Sequence, residues 1–350
     1  MDGIRRPGAV WWLACGGALA LSGLAVLLWA TSLRQAAVAA DGKRAGPDQT
    51  SAAPPAAPEQ TPEQTVAELE ATAGRKGADA RPLVDALARH GTAALPIIKQ
   101  KLGKAGEHFN MLLVRAANGI EGADDEVASL LLSQFVDNPY PSARGEALWL
   151  LDNRVRVTAV KRPLREAELT KLTQTISAPN IFSQGYAARV LSRCVQVPTD
   201  QRVAPIVERY EKEVVSPTKG PPIDPKPYFS DRVFLLNQFL LAIDNIGAPA
   251  VPRLAMDRRS AGGDQELRKW LTIALGWAGD RSVSDELQGL LQTEADTSTK
   301  IVLVRAYAKA GKQEALPFLR SIVDSEDMKS VQWILKEEIR QLEESPGTRG

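Results

Sequence analysis

The 350-residue chain holds two cysteines and two histidines. That is too few for a disulfide framework or a zinc scaffold. Aromatic residues make up 5%, less than a β-sandwich or barrel draws on. There is no excess of either charge: 43 basic residues face 42 acidic ones, a net of +1. A nucleic-acid binder relies on a basic field, and none is present. No P-loop, GxGxxG, GxSxG or HExxH pattern occurs. His90 and His108 are separate from each other and from any cysteine at ligand spacing. Cys194 sits on an apolar face and reads as a small buried hydrophobe. The acidic run Asp124-Asp125-Glu126 reads as a first helical turn, favourable with the helix dipole. No catalytic, cofactor or metal residue is assigned on this basis. No small-molecule site is evident, and the expected class is not an enzyme.

The 44% of apolar residues is mostly alanine and leucine, which favours an all-α fold. After a short tail, residues 1–8, positions 9–33 carry no charge. A helix of that length is about 37 Å long and crosses a hydrocarbon core of about 30 Å with some tilt. Arg5 and Arg6 precede it, Arg34 follows, and Trp11, Trp12 and Trp29 lie near its ends, as in an interfacial aromatic belt. An uncleaved transmembrane anchor is the favoured reading. A cleaved signal peptide ending at Ala37-Val38-Ala39 competes with it, but such a peptide has an apolar core of about 7–15 residues. Two arginines before the span and Arg34, Lys43 and Arg44 after it leave orientation undecided by charge. A very short tail with arginines favours a single-pass protein of the inner membrane with its C-terminal part outside the cytoplasm. The same protein facing the cytoplasm is the alternative.

Residues 34–62 include Pro47, Pro54, Pro55, Pro58 and Pro62 and show no apolar period. Such a composition buries too little to offset chain entropy and reads as a disordered tether. From residue 63 to residue 345 the pattern is helical. Ala242, Ala274 and Ala306 are followed five positions later by Gly247, Gly279 and Gly311, so the unit recurs every 32 residues. Ala86–Gly91 and Ala117–Gly122 repeat it upstream. A second apolar segment follows each glycine, as in Leu95, Ile98, Leu102 and in Leu287, Leu290, Leu291. The expectation is a helical hairpin whose alanine allows close approach and whose glycine ends the first helix. Such units bury their faces only against neighbours, which gives a solenoid. Between Ala147 and Ala187 the spacing stretches, and Asp152 and Ser192 stand where glycine is expected. Residues 328–344, more polar on one face, are expected to cap the end.

The segments Leu240–Gly247, Leu271–Gly279 and Val304–Gly311 resemble the HEAT-repeat family, in particular the short bacterial repeats of phycobilin-lyase-like proteins. The resemblance covers roughly residues 80–325 and is most regular over 229–325. It implies an α-solenoid that meets a protein partner, mainly through the second helix of each pair. It also leaves open an enzyme or chromophore-attachment factor of the lyase-like kind.

Two local features stand out. Arg154, Arg156, Lys161, Arg162 and Arg165 lie between Asp152 and Glu166 with no acid among them. They are a candidate patch for an acidic partner or lipid headgroups, or else an insertion balanced by acids elsewhere. Basic and apolar residues alternate over 154–160, so a short extended segment is expected there. Residues 216–228 hold Pro217, Pro221, Pro222, Pro225 and Pro227, which exclude helix and make either a binding loop or an excursion between repeats. Without residues 1–45 the chain has 38 basic and 40 acidic residues, so nothing points to nucleic acid.

Overall fold

Thr61 begins the first helix with a reciprocal cap. Its hydroxyl accepts from the Gln64 N–H, and the Gln64 side chain accepts from the Thr61 N–H at 2.9 Å. Two otherwise orphaned donors are thereby satisfied, and Pro62 fits the first turn. The computed structural model describes residues 60–155, 159–178, 180–217 and 231–345. Of these, 79% are helical, and none forms a strand. The all-α expectation holds for them. The expected span at 9–33, the tether through residue 59, Arg156 and most of the proline-rich stretch lie outside the described residues. Among those described, no single helix is long and apolar enough to cross a membrane.

The helices are α1 (Pro62–Ala73), α2 (Arg81–Arg89), α3 (Leu95–Lys101), α4 (Glu107–Asn118), α5 (Asp124–Asp137), α6 (Pro141–Val155), α7 (Glu166–Ile176) and α8 (Ile181–Ser192). They continue as α9 (Thr199–Val215), α10 (Asp231–Ile246), α11 (Val251–Ser260), α12 (Gln265–Trp277), α13 (Ser284–Thr293), α14 (Thr297–Gly311), α15 (Leu316–Ile322) and α16 (Gln332–Glu344). Each even-numbered helix packs on the next even one, from α2 through to α16. The odd-numbered helices make a second row with weaker lateral contact.

Helices α12 and α14 begin 32 residues apart, the spacing of the alanine–glycine unit, but upstream the spacing varies and the hairpin phase differs. Each odd helix packs more closely on the even helix after it than on the one before it: α5 on α6, α9 on α10, α11 on α12, α13 on α14. The tight hairpins therefore run α1–α2 through α15–α16. The glycines lie between hairpins. At Gly247 (φ 68°) the chain bends by 108° from α10 into α11. Gly91, Gly122 and Gly279 also take positive φ, as expected of glycine turns. Gly311 does not. It stays helical at φ −82°, and Lys312 takes the left-handed conformation at φ 49°. A Cβ at Gly311 would stand 3.0 Å from that of Ala315, so close packing accounts for this glycine.

The even row forms the core, with Leu113, Leu151, Leu191, Phe239, Ala274 and Val304 fully buried. Helices approach closest at small residues. A Cβ at Gly276 would lie 2.6 Å from Leu287 Cδ1 and 2.9 Å from the Ala306 carbonyl. One at Gly185 would lie 2.7 Å from Gln238 Cβ. Buried aromatic heads are satisfied across helices: Tyr210 donates to the Trp270 carbonyl at 2.6 Å, and Trp277 to that of Val302 at 3.1 Å.

The stretched spacing between Ala147 and Ala187 reflects the long link between α6 and α7. Its Val160 N–H donates to the Arg193 carbonyl at 3.1 Å, and Val160 forms one parallel bridge with Cys194.

Candidate interaction surface

The basic segment was the strongest local signal, and its described residues have partners within the protein. Arg154, on the last turn of α6, donates to the carbonyls of Asn118 and Ile120 at 2.8 and 3.0 Å and to Asp124 at 2.6 Å. It closes the C-terminal end of α4 and ties it to the acidic first turn of α5. Lys161 stands 3.7 Å from Asp125. Arg162 makes a two-pronged pair with Glu168 and donates to Ser129 Oγ at 3.0 Å. Arg165 bonds Glu168 at 2.9 Å and Asp137 at 2.8 Å. Residues 161–165 thus run beside α5 from Asp125 to Asp137.

Glu168 is fully buried. Burial raises its pKa, but the Arg162 pair and the Arg165 N–H and guanidinium outweigh this and leave it below the usual carboxylate range. The segment is an internal crosslink whose acids come from α5 and α7, outside the sequence window that looked purely basic.

Beside it lies an open cleft of about 540 Å³ between α3 and α5, lined by Lys99, Asp125, Glu126, Ser129, Leu130, Ser133 and Gln134. Asp125 and Ser129 line it and also hold Lys161 and Arg162. The basic segment therefore adjoins the cleft through these two residues. The chemistry is mixed: one lysine, two carboxylates, hydroxyls and an amide. Ser129 and Ser133 donate to their own helix, to the carbonyls of Asp125 and Leu130.

Sequence reasoning missed a buried polar line across the even row. Arg189 on α8 forms a two-pronged pair with Asp152 on α6, at 2.7 and 2.5 Å. Ser192 donates to the Arg189 carbonyl at 2.7 Å and accepts from Asn245 on α10 at 3.0 Å. The departures from glycine at 152 and 192 were the signal, since each puts a polar group where a turn was expected.

A second cluster joins α9 to α11. Arg253 bonds Asp257 at 2.6 Å and stands 3.6 Å from Glu208. Burial, followed by the neighbouring Asp257 carboxyl, pushes Glu211 up to about 7. The other singled-out residues are structural in geometry. His90 Nε2 is 3.4 Å from Thr65 Oγ1. Cys194 donates to the Val190 carbonyl, and burial pushes its thiol up to about 12. Among the described residues, no group of three or more His, Cys, Asp or Glu side chains is placed to hold a metal ion.

No protein-family model matches the chain, and no curated protein matches its sequence.

Proposed function

We propose that the protein is a non-enzymatic, protein-binding scaffold: a HEAT-like α-solenoid carried on a single membrane-spanning helix at residues 9–33. The observation that carries this reading is the packing order. Each even helix rests on the next from α2 to α16, with odd helices laid along them. A chain whose helices pack mainly on their near neighbours grows by repetition and offers successive helices to a partner. The family resemblance of the Ala–Gly segments agrees with it. The odd-row helices provide the binding surface, which includes the cleft between α3 and α5. The partner is a protein segment with polar, mixed-charge side chains. The span and tether hold this surface at the inner membrane, on the extracytoplasmic side.

Photo-crosslinking of the full chain in membranes tests the reading. A photoreactive residue at Gln134, in the cleft, should form discrete adducts with a partner protein. The same residue at Lys336, exposed on α16, should not. Equal adducts from both positions, or none, would refute it. The anchor is checked separately: resistance to carbonate extraction supports it, and a soluble mature form starting near Ala40 would remove it. A membrane-impermeant thiol reagent on single-cysteine variants reads the side on which the scaffold sits.

A further inference from the structure

The residues between α1 and α4 contain a second set of cations, scattered in sequence and gathered by the fold. The α1–α2 turn carries Arg75 and Lys76, and Arg81 opens α2. The α3–α4 turn carries Lys104, and Lys101 ends α3. α1 and α3 run in the same sense, because Lys101 Nζ reaches Glu70, near the end of α1, at 3.0 Å. Both turns therefore share one edge of the helix rows. The α5–α6 turn adjoins them, since a Cβ on Gly103 would sit 3.6 Å from Pro139 Cδ.

Two of the five cations have local acids: Arg81 with Asp79 at 2.9 Å, and Lys101 with Glu70. Arg75, Lys76 and Lys104 are exposed and have no ion-pair partner among the described residues. Two further acids at this edge are engaged elsewhere: Glu107 accepts from the Ser142 N–H at 3.1 Å, and Asp137 pairs with Arg165. The edge thus presents a net positive face, whereas Arg154, Lys161, Arg162 and Arg165 each have an acid beside them.

We propose that this edge docks on the anionic lipid headgroups of the membrane that anchors the chain. The inference rests on the anchored reading of residues 9–33. The choice of lipid follows from distance along the chain. Only residues 34–59 separate the expected span from the first described residue. Twenty-six residues span about 30 Å as a random coil and at most about 80 Å in the extended form that prolines favour. The first helices after them are tethered within that reach of the surface. Clustered cations near a membrane are drawn to anionic lipid within about one Debye length, each contributing about fivefold in partitioning.

The test uses the full chain in vesicles of phosphatidylglycerol mixed with phosphatidylcholine, and in phosphatidylcholine alone. Hydrogen exchange of the turns at 74–80 and 102–106 should slow in the anionic vesicles only. The turn at 261–264 should exchange equally in both. High salt, or the combined change Arg75→Gln, Lys76→Gln and Lys104→Gln, should return the two turns to the phosphatidylcholine rate. Carbonate resistance should stay unchanged. Equal exchange in the two vesicle types, with the chain still carbonate-resistant, would overturn docking and leave the anchor standing. If carbonate releases the chain, the anchor reading fails. Docking is then read by flotation: co-floating with anionic vesicles alone, weakened about a hundredfold by the triple change, supports it, and no co-floating overturns it. Protection by an added polyglutamate peptide but not by anionic vesicles also overturns it, in favour of an acidic protein surface.

Discussion

After α10 and α12 the chain turns on glycine, at φ 68° and 81°. At the matching places near the ends of α6 and α8 it carries Asp152 and Ser192 instead. The C-terminal hairpins are joined by backbone freedom and by small residues that let helices touch, as at Gly276. The middle hairpins also touch at a small residue, Gly185, but are joined besides by a buried guanidinium–carboxylate pair and the hydroxyl and amide next to it. Both devices hold an even helix against the next. They differ in how they fail. Close packing at small residues degrades by a methyl group at a time. A buried charge pair holds firmly until one partner is lost, and then leaves an uncompensated ion.

This contrast sets an order of effects for denaturant unfolding of residues 60–350, which form one compact unit. Asp152→Ala should cost most, about 3–5 kcal/mol, because Arg189 stays buried without its partner. Adding Arg189→Met should recover a large part, and a double-mutant cycle showing no coupling would erase the distinction between the two regions. Next comes Gly276→Ala, at about 1–3 kcal/mol, because the added methyl meets the Ala306 carbonyl and Leu287. Gly279→Ala should cost about 1 kcal/mol, since nothing lies within 4 Å of its Cβ position and only the left-handed backbone is penalised.

A smaller effect depends on pH at the α9–α11 contact. Glu211 has its pKa raised in the folded state to about 7. The protonated carboxyl therefore adds stability that is complete below the unfolded value near 4.5. That stability is lost as pH rises through 7. The group is half-exposed, so after solvent screening the loss is about 1 kcal/mol. The unfolding midpoint should fall between pH 5 and pH 8, and Glu211→Gln should flatten that slope. A midpoint that rises with pH in both proteins would refute the assignment. Smallest of all, Lys312→Gly should be neutral or stabilising by up to about 1 kcal/mol, because it relieves the non-glycine left-handed residue at φ 49°.

The repeat length was legible because alanine and glycine recur at fixed spacing and each leaves a physical mark. The phase was not. Nothing in a string of amphipathic helices says whether a helix packs on the one before it or the one after it. That depends on turn angles such as the 108° bend at Gly247. Gly311 shows the same limit on a small scale: it reads as a turn, yet it is needed for its missing side chain against Ala315, while Lys312 makes the turn. The candidate site divides in a similar way. Arg154, Lys161, Arg162 and Arg165 stood out because they cluster in sequence, but Asp124, Asp125, Asp137 and Glu168 come from neighbouring helices and neutralise them. Arg75, Lys76 and Lys104 did not stand out because they are spread over thirty positions, and only the shared edge of two turns brings them together.

The sequence by itself determined that the chain is helical and that an alanine–glycine unit recurs near its C-terminal end, because apolar periodicity and glycine act over a few residues. Tertiary structure alone decided which helices form hairpins, which cations are paired and which face solvent. Those outcomes depend on side chains about thirty residues apart meeting within 3–4 Å, a distance that packing sets and that local composition does not record.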